Sequence, residues 1–216
     1  PYPVSELCFA GPIEKLNSTE FAQPALLTTS LAVLEVVKKQ GIKPDLVAGL
    51  SLGEYTALVA AGSISFAEAL PLVQARGRLM QEAVPRGKGA MAAVLGLEYE
   101  LVAGVCCQAG GIVDIANLNC PGQLVISGER GAVTRAMDLL REKGGRVRLL
   151  DVSVPSHSRL MTNAAYKLQE YLNKLDWENA TPPVISNVTA REYSPEKSAD
   201  LLVQQLYSPV QWEASI

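Results

Sequence analysis

The sequence predicts an α/β protein of two parts, a larger one interrupted by a compact βαββαβ unit. Three features predict it. A Gly49-Leu50-Ser51-Leu52-Gly53 turn stands between an apolar run and a helix-like run; short strands alternate quickly with two helices from Gly87 onward; and helix-and-strand texture returns after residue 153. At 216 residues, 48% of them apolar, the chain suits one large domain carrying a smaller insertion.

The elements follow in order. Pro24 is placed to open a helix with Leu26, Leu27, Leu31, Leu34 and Val37 on its apolar side, Lys38 and Lys39 in its last turn and Gly41 ending it. Residues 45–48 read as a short buried strand and residues 54–61 as a helix ended by Gly62. Between them Ser51 sits on a strand-to-helix elbow, whose glycines remove side chains that would meet neighbouring backbone. Ser65 and Glu68 have capping-box spacing for a helix through Leu70, Val73, Leu79 and Met80. Pro71 interrupts that run at a cost of about 3 kcal/mol or a kink, so the helix is expected to start later or to bend.

From Gly87 the sequence reads as a strand at 91–95, a helix at 99–108 and strands at 112–117 and 122–127. A helix at 132–143, closed by Gly144-Gly145, and a strand at 146–152 complete the unit. The βαββαβ order is the split-βαβ, ferredoxin-like arrangement, placed here at residues 87–153. A helix over 160–175, a strand at 184–188 and a helix opened by Ser194-Pro195 belong to the larger part, which takes residues 1–86 and 154–216.

Bulk properties narrow the function. A formal charge of −3 argues against a nucleic-acid partner, and the cluster Arg141, Lys143, Arg146 and Arg148 reads as a solvated helix end and edge strand. No run of eighteen apolar residues and no secretory signal are visible, so a cytoplasmic protein without a membrane partner is expected. The four cysteines have no metal-type spacing and read as reduced, mostly buried thiols. His157 is the only histidine, so serine–histidine chemistry has one possible pair, Ser51 and His157. The residues alone leave other readings open. Ser51 would otherwise only occupy a turn, His157 would cap the following helix, and Arg76 would snorkel from an amphipathic helix.

Six segments together, "GLSLGEYTALVAAG", "RGRLMQEAVPRGKGAMAAVLGL", "NLNCPGQLVISG", "SVPSHSRLM", "VISNVTA" and "QLYSPVQW", closely resemble bacterial malonyl-CoA:acyl-carrier-protein transacylases. The resemblance implies an α/β-hydrolase-like large subdomain with an inserted ferredoxin-like small subdomain. It makes Ser51 the nucleophile that becomes malonylated and His157 the general base and later acid, its second ring nitrogen oriented by a backbone carbonyl. It gives Leu52 a main-chain oxyanion role and Arg76 the free carboxylate of the malonyl group. Asn117, Asn119 and Gln123 would meet the pantetheine arm or line the cleft, or serve only as turn formers, and Gln23 resembles a cleft residue. The implied partners are malonyl-CoA and acyl carrier protein, steered by Arg78, Arg86, Lys88 and Arg159, with no metal or redox cofactor.

The chain departs from the family at Leu50, where the family has histidine. It is also expected to begin after the family's "GQGSQ" turn, which supplies a second oxyanion donor, and to end before its "GPG" region, leaving His157 without its carbonyl partner. An inactive or carrier-binding piece of such an enzyme, or a serine thioesterase or esterase, are the alternative readings.

Overall fold

Helix Val4–Ala10 (α1) and the single turn Ile13–Leu16 (α2) lead into Thr19–Lys39 (α3) in a computed structural model that describes residues 3–152 and 154–216. Residues 1, 2 and 153, at the edges of the expected subdomain spans and within the "SVPSHSRLM" segment, lie outside the described residues. Helix α3 starts five residues before Pro24, contrary to expectation. Ser18 opens it, its carbonyl accepting from Phe21 and Ala22. Pro24 forgoes only one second-turn bond, and Gln23 is carried on the buried side of the helix, 6% exposed. By length and composition alone α3 would span a membrane; here it packs on Leu52–Ala60 (α4) and Phe66–Ala83 (α5).

The capping box of α5 is formed on both sides. Glu68 N–H donates to Ser65 Oγ (3.2 Å), and Ser65 N–H donates to Glu68 Oε2 (2.9 Å). The helix neither starts late nor breaks at Pro71, because Pro71 and Ala67, whose carbonyl loses its partner, are exposed and the orphaned carbonyl is open to solvent. Gly77 lets α5 cross the start of α3 closely; a Cβ there would lie 2.4 Å from the Thr19 carbonyl oxygen. That crossing brings Arg76 on α5 next to Gln23 on α3.

Strands Gly89–Leu95 (β1), Val113–Cys120 (β2), Gln123–Glu129 (β3) and Arg146–Leu149 (β4) form an antiparallel sheet in the order β2-β3-β1-β4. Helices Tyr99–Gln108 (α6) and Arg130–Glu142 (α7) pack against it through Val94, Val102, Val105, Ile126, Val133 and Leu140. The order and types of these six elements match the sequence reading. β4 is shorter than expected and lies at the edge, with its arginines at or near solvent.

A second core joins α3, α4 and α5 to Thr162–Leu172 (α8) and Pro195–Gln205 (α9) through Leu27, Leu58, Val73, Leu168, Leu172 and Leu202. The two strands expected in this part are absent as strands. Residues 45–48 and 184–188 meet only at an isolated parallel bridge, Val47 to Val184, and Ile185 bridges Glu192. Pro182 and Pro183 offer no amide donors before that point, and the N–H of Asn187 is taken by Glu54. No ladder can extend. Val210, after α9, pairs with Asn117 and ties this part to β2. Of the cysteines only Cys106 is buried; Cys8 is half-buried and Cys107 and Cys120 are exposed, which corrects the expectation of mostly buried thiols.

Candidate active site

Ser51 has φ +55° and ψ −104°, a backbone conformation that non-glycine residues hold only under constraint. Two features supply the constraint. A Cβ on Gly49 would stand 2.1 Å from the carbonyl carbon of Gly53, so the turn closes only with glycine at 49. Asn187 then straps the turn, accepting from Ser51 N–H at 2.6 Å and donating Nδ2–H to the Gly49 carbonyl at 2.8 Å. Gly53 is a correction to the elbow argument, since a Cβ there would meet nothing within 4 Å. Helix α4 starts at Leu52, so the Leu52 amide is among the donors left free at a helix amino terminus, directly beside the serine.

His157 also lies at positive φ, +59°. It is held by the end of α9, whose last carbonyls have no partner inside the helix. The N–H of His157 donates to the Leu206 carbonyl (3.0 Å), and Nδ1 bonds the Gln205 carbonyl (2.7 Å). A carbonyl can only accept, so Nδ1 carries the proton and Nε2 presents a lone pair. That lone pair faces Ser51 Oγ at 2.9 Å. The carbonyl partner expected to be missing is thus present, inside the chain. Burial first, then the charge of Arg76, pushes the imidazole down to about 4, which keeps it a neutral base at physiological pH.

Arg76 is buried, 1% exposed. Its Nη2 donates to Ser51 Oγ (3.0 Å) and to Gln205 Oε1 (2.9 Å), while Nη1 donates to Gln23 Oε1 (2.8 Å). The surface reading of Arg76 is excluded by this burial. Ser51 Oγ accepts from the guanidinium and donates to His157, a fully determined donor–acceptor chain.

Of the sequence-derived candidates, Ser51, Leu52, His157, Arg76 and Gln23 come together. Asn117 is buried at 6% exposure on β2, where its neighbours Ala116 and Leu118 exchange main-chain hydrogen bonds with Val210, and no hydrogen bond among the described residues joins its side chain to this cluster. Gln123 Oε1 accepts from Cys120 Sγ at 3.4 Å, a local turn contact. Leu50 is 39% exposed beside the serine and supplies none of these bonds. Arg78, Arg86, Lys88 and Arg159 are all exposed; Arg159 pairs with Asp114 (2.9 Å) and Arg78 donates to the Tyr171 hydroxyl (3.2 Å).

Three participants went unread in the sequence: Glu54, Asn187 and Gln205. A signal existed for two of them. Gln205 continues the helical stripe of Leu201 and Leu202, and Glu54 shares a face with Ala57 and Leu58, so each puts a polar group on an apolar side. Neither of two surface cavities, of about 520 and 460 Å³, includes Ser51, His157 or Arg76. Among the described residues no cluster of three His, Cys, Asp or Glu is placed to hold a metal ion.

Residues 2–216 match the acyl transferase domain family. The chain is 52% identical over 219 residues to the malonyl CoA-acyl carrier protein transacylase of Bacillus subtilis, covering 99% of the chain and 69% of that protein. It is 48% identical to the enzyme of the same name from Escherichia coli K12, covering 100% of the chain and 71% of that protein. The acyl carrier protein S-malonyltransferase of Vibrio cholerae superimposes with a TM-score of 0.95 at 47% identity, over 99% of this chain and 72% of that one. A malonyl-transacylase solved in complex with its type II polyketide-synthase acyl-carrier protein gives 0.96 at 46% identity, over 99% and 71%. By sequence and by structure alike, the chain belongs to the acyl transferase family.

Proposed function

We propose that this protein is an acyltransferase that moves a malonyl group from malonyl-CoA to the phosphopantetheine thiol of an acyl carrier protein, in the cytoplasm, within fatty-acid or polyketide biosynthesis. The observation that carries the reading is Ser51 Oγ lying between His157 Nε2 at 2.9 Å and Arg76 Nη2 at 3.0 Å. We assign Ser51 as nucleophile and His157 as general base, with Arg76, Gln23 and the Leu52 amide as substrate-binding groups; Asn117 is a more distant candidate along the cleft.

As Ser51 Oγ attacks the thioester carbonyl, its proton passes to Nε2, and the tetrahedral oxyanion forms near the Leu52 amide. Collapse expels the coenzyme A thiolate, which takes the proton from His157 and leaves a malonyl ester on Ser51. The carrier thiol then gives its proton to Nε2 and attacks the ester, and His157 returns that proton to Ser51 Oγ. Each half-reaction balances with no cofactor. The malonyl carboxylate would take over the guanidinium donor that faces Ser51 Oγ in the free site. Each charge-assisted bond contributes about 1.5–3 kcal/mol, enough to prefer a dicarboxylic half-thioester to acetyl.

The architecture is read as an α/β-hydrolase-like subdomain, residues 1–86 and 154–216, with a ferredoxin-like insertion at 87–153; the separate cores of the two parts support that division. Exposed Arg78, Arg86 and Lys88 suit an acidic carrier, which electrostatics would steer toward the cleft. Labelled malonyl-CoA, incubated with the full-length protein and holo acyl carrier protein, is expected to label the carrier. Release of free malonate with the carrier unlabelled would make the protein a thioesterase instead.

A further inference from the structure

Glu54 is fully buried, three residues after Ser51, and takes no part in the proton transfers above. Three donors converge on it. Oε1 accepts from the Asn187 N–H (2.8 Å) and the Tyr193 hydroxyl (2.7 Å), and Oε2 faces Nε2 of Gln205. The direction of that last bond follows from what else surrounds Gln205. Its Oε1 lies 2.9 Å from Arg76 Nη2, and a guanidinium only donates; its Nε2 lies 2.9 Å from the Ser51 carbonyl, which only accepts. Turning the amide over would set donor against donor and acceptor against acceptor. Oε2 of Glu54 must therefore accept, as Oε1 must from Asn187. The ionised carboxyl accepts from all three donors, whereas a protonated one would have to donate to the Tyr193 hydroxyl and turn that hydroxyl over.

We propose that Glu54, as a carboxylate, is a positioning residue of this site: it fixes Gln205 in the orientation that aims Arg76 at Ser51 and keeps the Gln205 carbonyl on His157. The proposal rests on the transfer reaction proposed above. It makes transfer depend on Glu54 being ionised. The titratable and charged groups facing Glu54 are Tyr193 ahead of α9, Arg76 from α5 and Tyr55 beside it on α4. Burial pushes the Glu54 carboxyl up to about 7, in spite of its three hydrogen bonds and the Arg76 charge. His157, at about 4, titrates well below it. Both groups must be deprotonated, so the acid limb of activity falls near 7 and reports Glu54.

The test is the pH dependence of kcat/KM for malonylation of Ser51 in the full-length wild type, E54Q and Y193F, with folding checked by circular dichroism. The wild type is expected to lose activity about tenfold per pH unit below 7. E54Q should be about 10²-fold slower through misplacement of the reacting groups, with no limb until His157 protonates. Y193F, which removes one hydrogen bond to the carboxylate, should move the limb up by about one pH unit. A wild-type limb only near 4, an E54Q profile with the wild-type limb, or an unmoved Y193F limb would each overturn the proposal; Y193F decides it if E54Q does not fold. An infrared titration of the carboxyl band that E54Q lacks reads Glu54 without any turnover, and a proton kept above about pH 9 would overturn the proposal by itself. Absence of malonyl-Ser51 at every pH would instead sink the transfer reaction.

Discussion

Nδ1 of His157 is tied to the main-chain carbonyl of Gln205 over 2.7 Å, so the base of this site is oriented by backbone at the end of α9 and not by a carboxylate. Side-chain substitution cannot remove such an acceptor. His157→Ala should therefore cut the rate of Ser51 malonylation by about 10²–10⁴-fold, the usual worth of a positioned base. Gln205→Ala, which keeps the carbonyl and loses the amide, should cost clearly less. Single-turnover rates compare them, and equal losses would contradict a smaller role for the Gln205 amide than for the base itself.

Arg76 makes its bonds from a fully buried guanidinium whose affinity for its proton is lowered by burial. Arg76→Ala is expected to reduce the malonyl-over-acetyl preference in kcat/KM by roughly 10–100-fold, the equivalent of one lost charge-assisted bond. Arg76→Lys keeps the charge without the planar fork and should recover only part of it. Equal losses for both acyl groups would remove the carboxylate-binding role.

The two elbow glycines should behave oppositely. Gly49→Ala drives a methyl into the Gly53 backbone at 2.1 Å and should unfold the elbow or abolish activity. Gly53→Ala meets open space inside α4 and should stabilise the fold by about 0.5–1 kcal/mol through helix propensity. Thermal melts of the two variants check this, and similar losses in both would contradict it.

Stability should vary with pH through two buried groups of opposite sign. His157, lowered from 6.5 to about 4, contributes stability that is present above 6.5 and lost as pH falls toward 4. Glu54, raised from 4.5 to about 7, contributes stability that is present below 4.5 and lost as pH rises toward 7. Each amounts to about 3 kcal/mol, and across the shared window they offset one another. E54Q should unmask His157, with Tm falling by roughly 6–12 °C between pH 6.5 and 4 where the wild type stays nearly level. A wild type as steep as E54Q would argue against the coupled burial.

Local signals account for what the sequence made readable. The βαββαβ unit was legible because alternating strands, Gly-marked turns and helical stripes are read over a few residues each. Ser51, His157 and Arg76 were legible from the elbow, the single histidine and six family-like segments. The strands at 45–48 and 184–188 were overread, since an apolar run says nothing of whether a neighbour is present to complete a ladder. Pro24 misled because its position in the second turn depends on the helix starting at Ser18, which the apolar stripe does not reveal. Glu54, Asn187 and Gln205 are separated from Ser51 and from one another by up to 154 residues, and only tertiary packing makes their donors and acceptors converge. For Glu54 and Gln205, a polar residue on an apolar helical stripe was the trace in the sequence.

The central claim is that Ser51, held between His157 and Arg76, is the group that carries the acyl chain. Intact-protein and peptide mass spectrometry after brief mixing of the full-length protein with malonyl-CoA tests it most directly. One malonyl group is expected on the peptide containing Ser51, lost on addition of holo acyl carrier protein and absent in Ser51→Ala. An unmodified Ser51 peptide, or malonyl found elsewhere and persisting in Ser51→Ala, would contradict it.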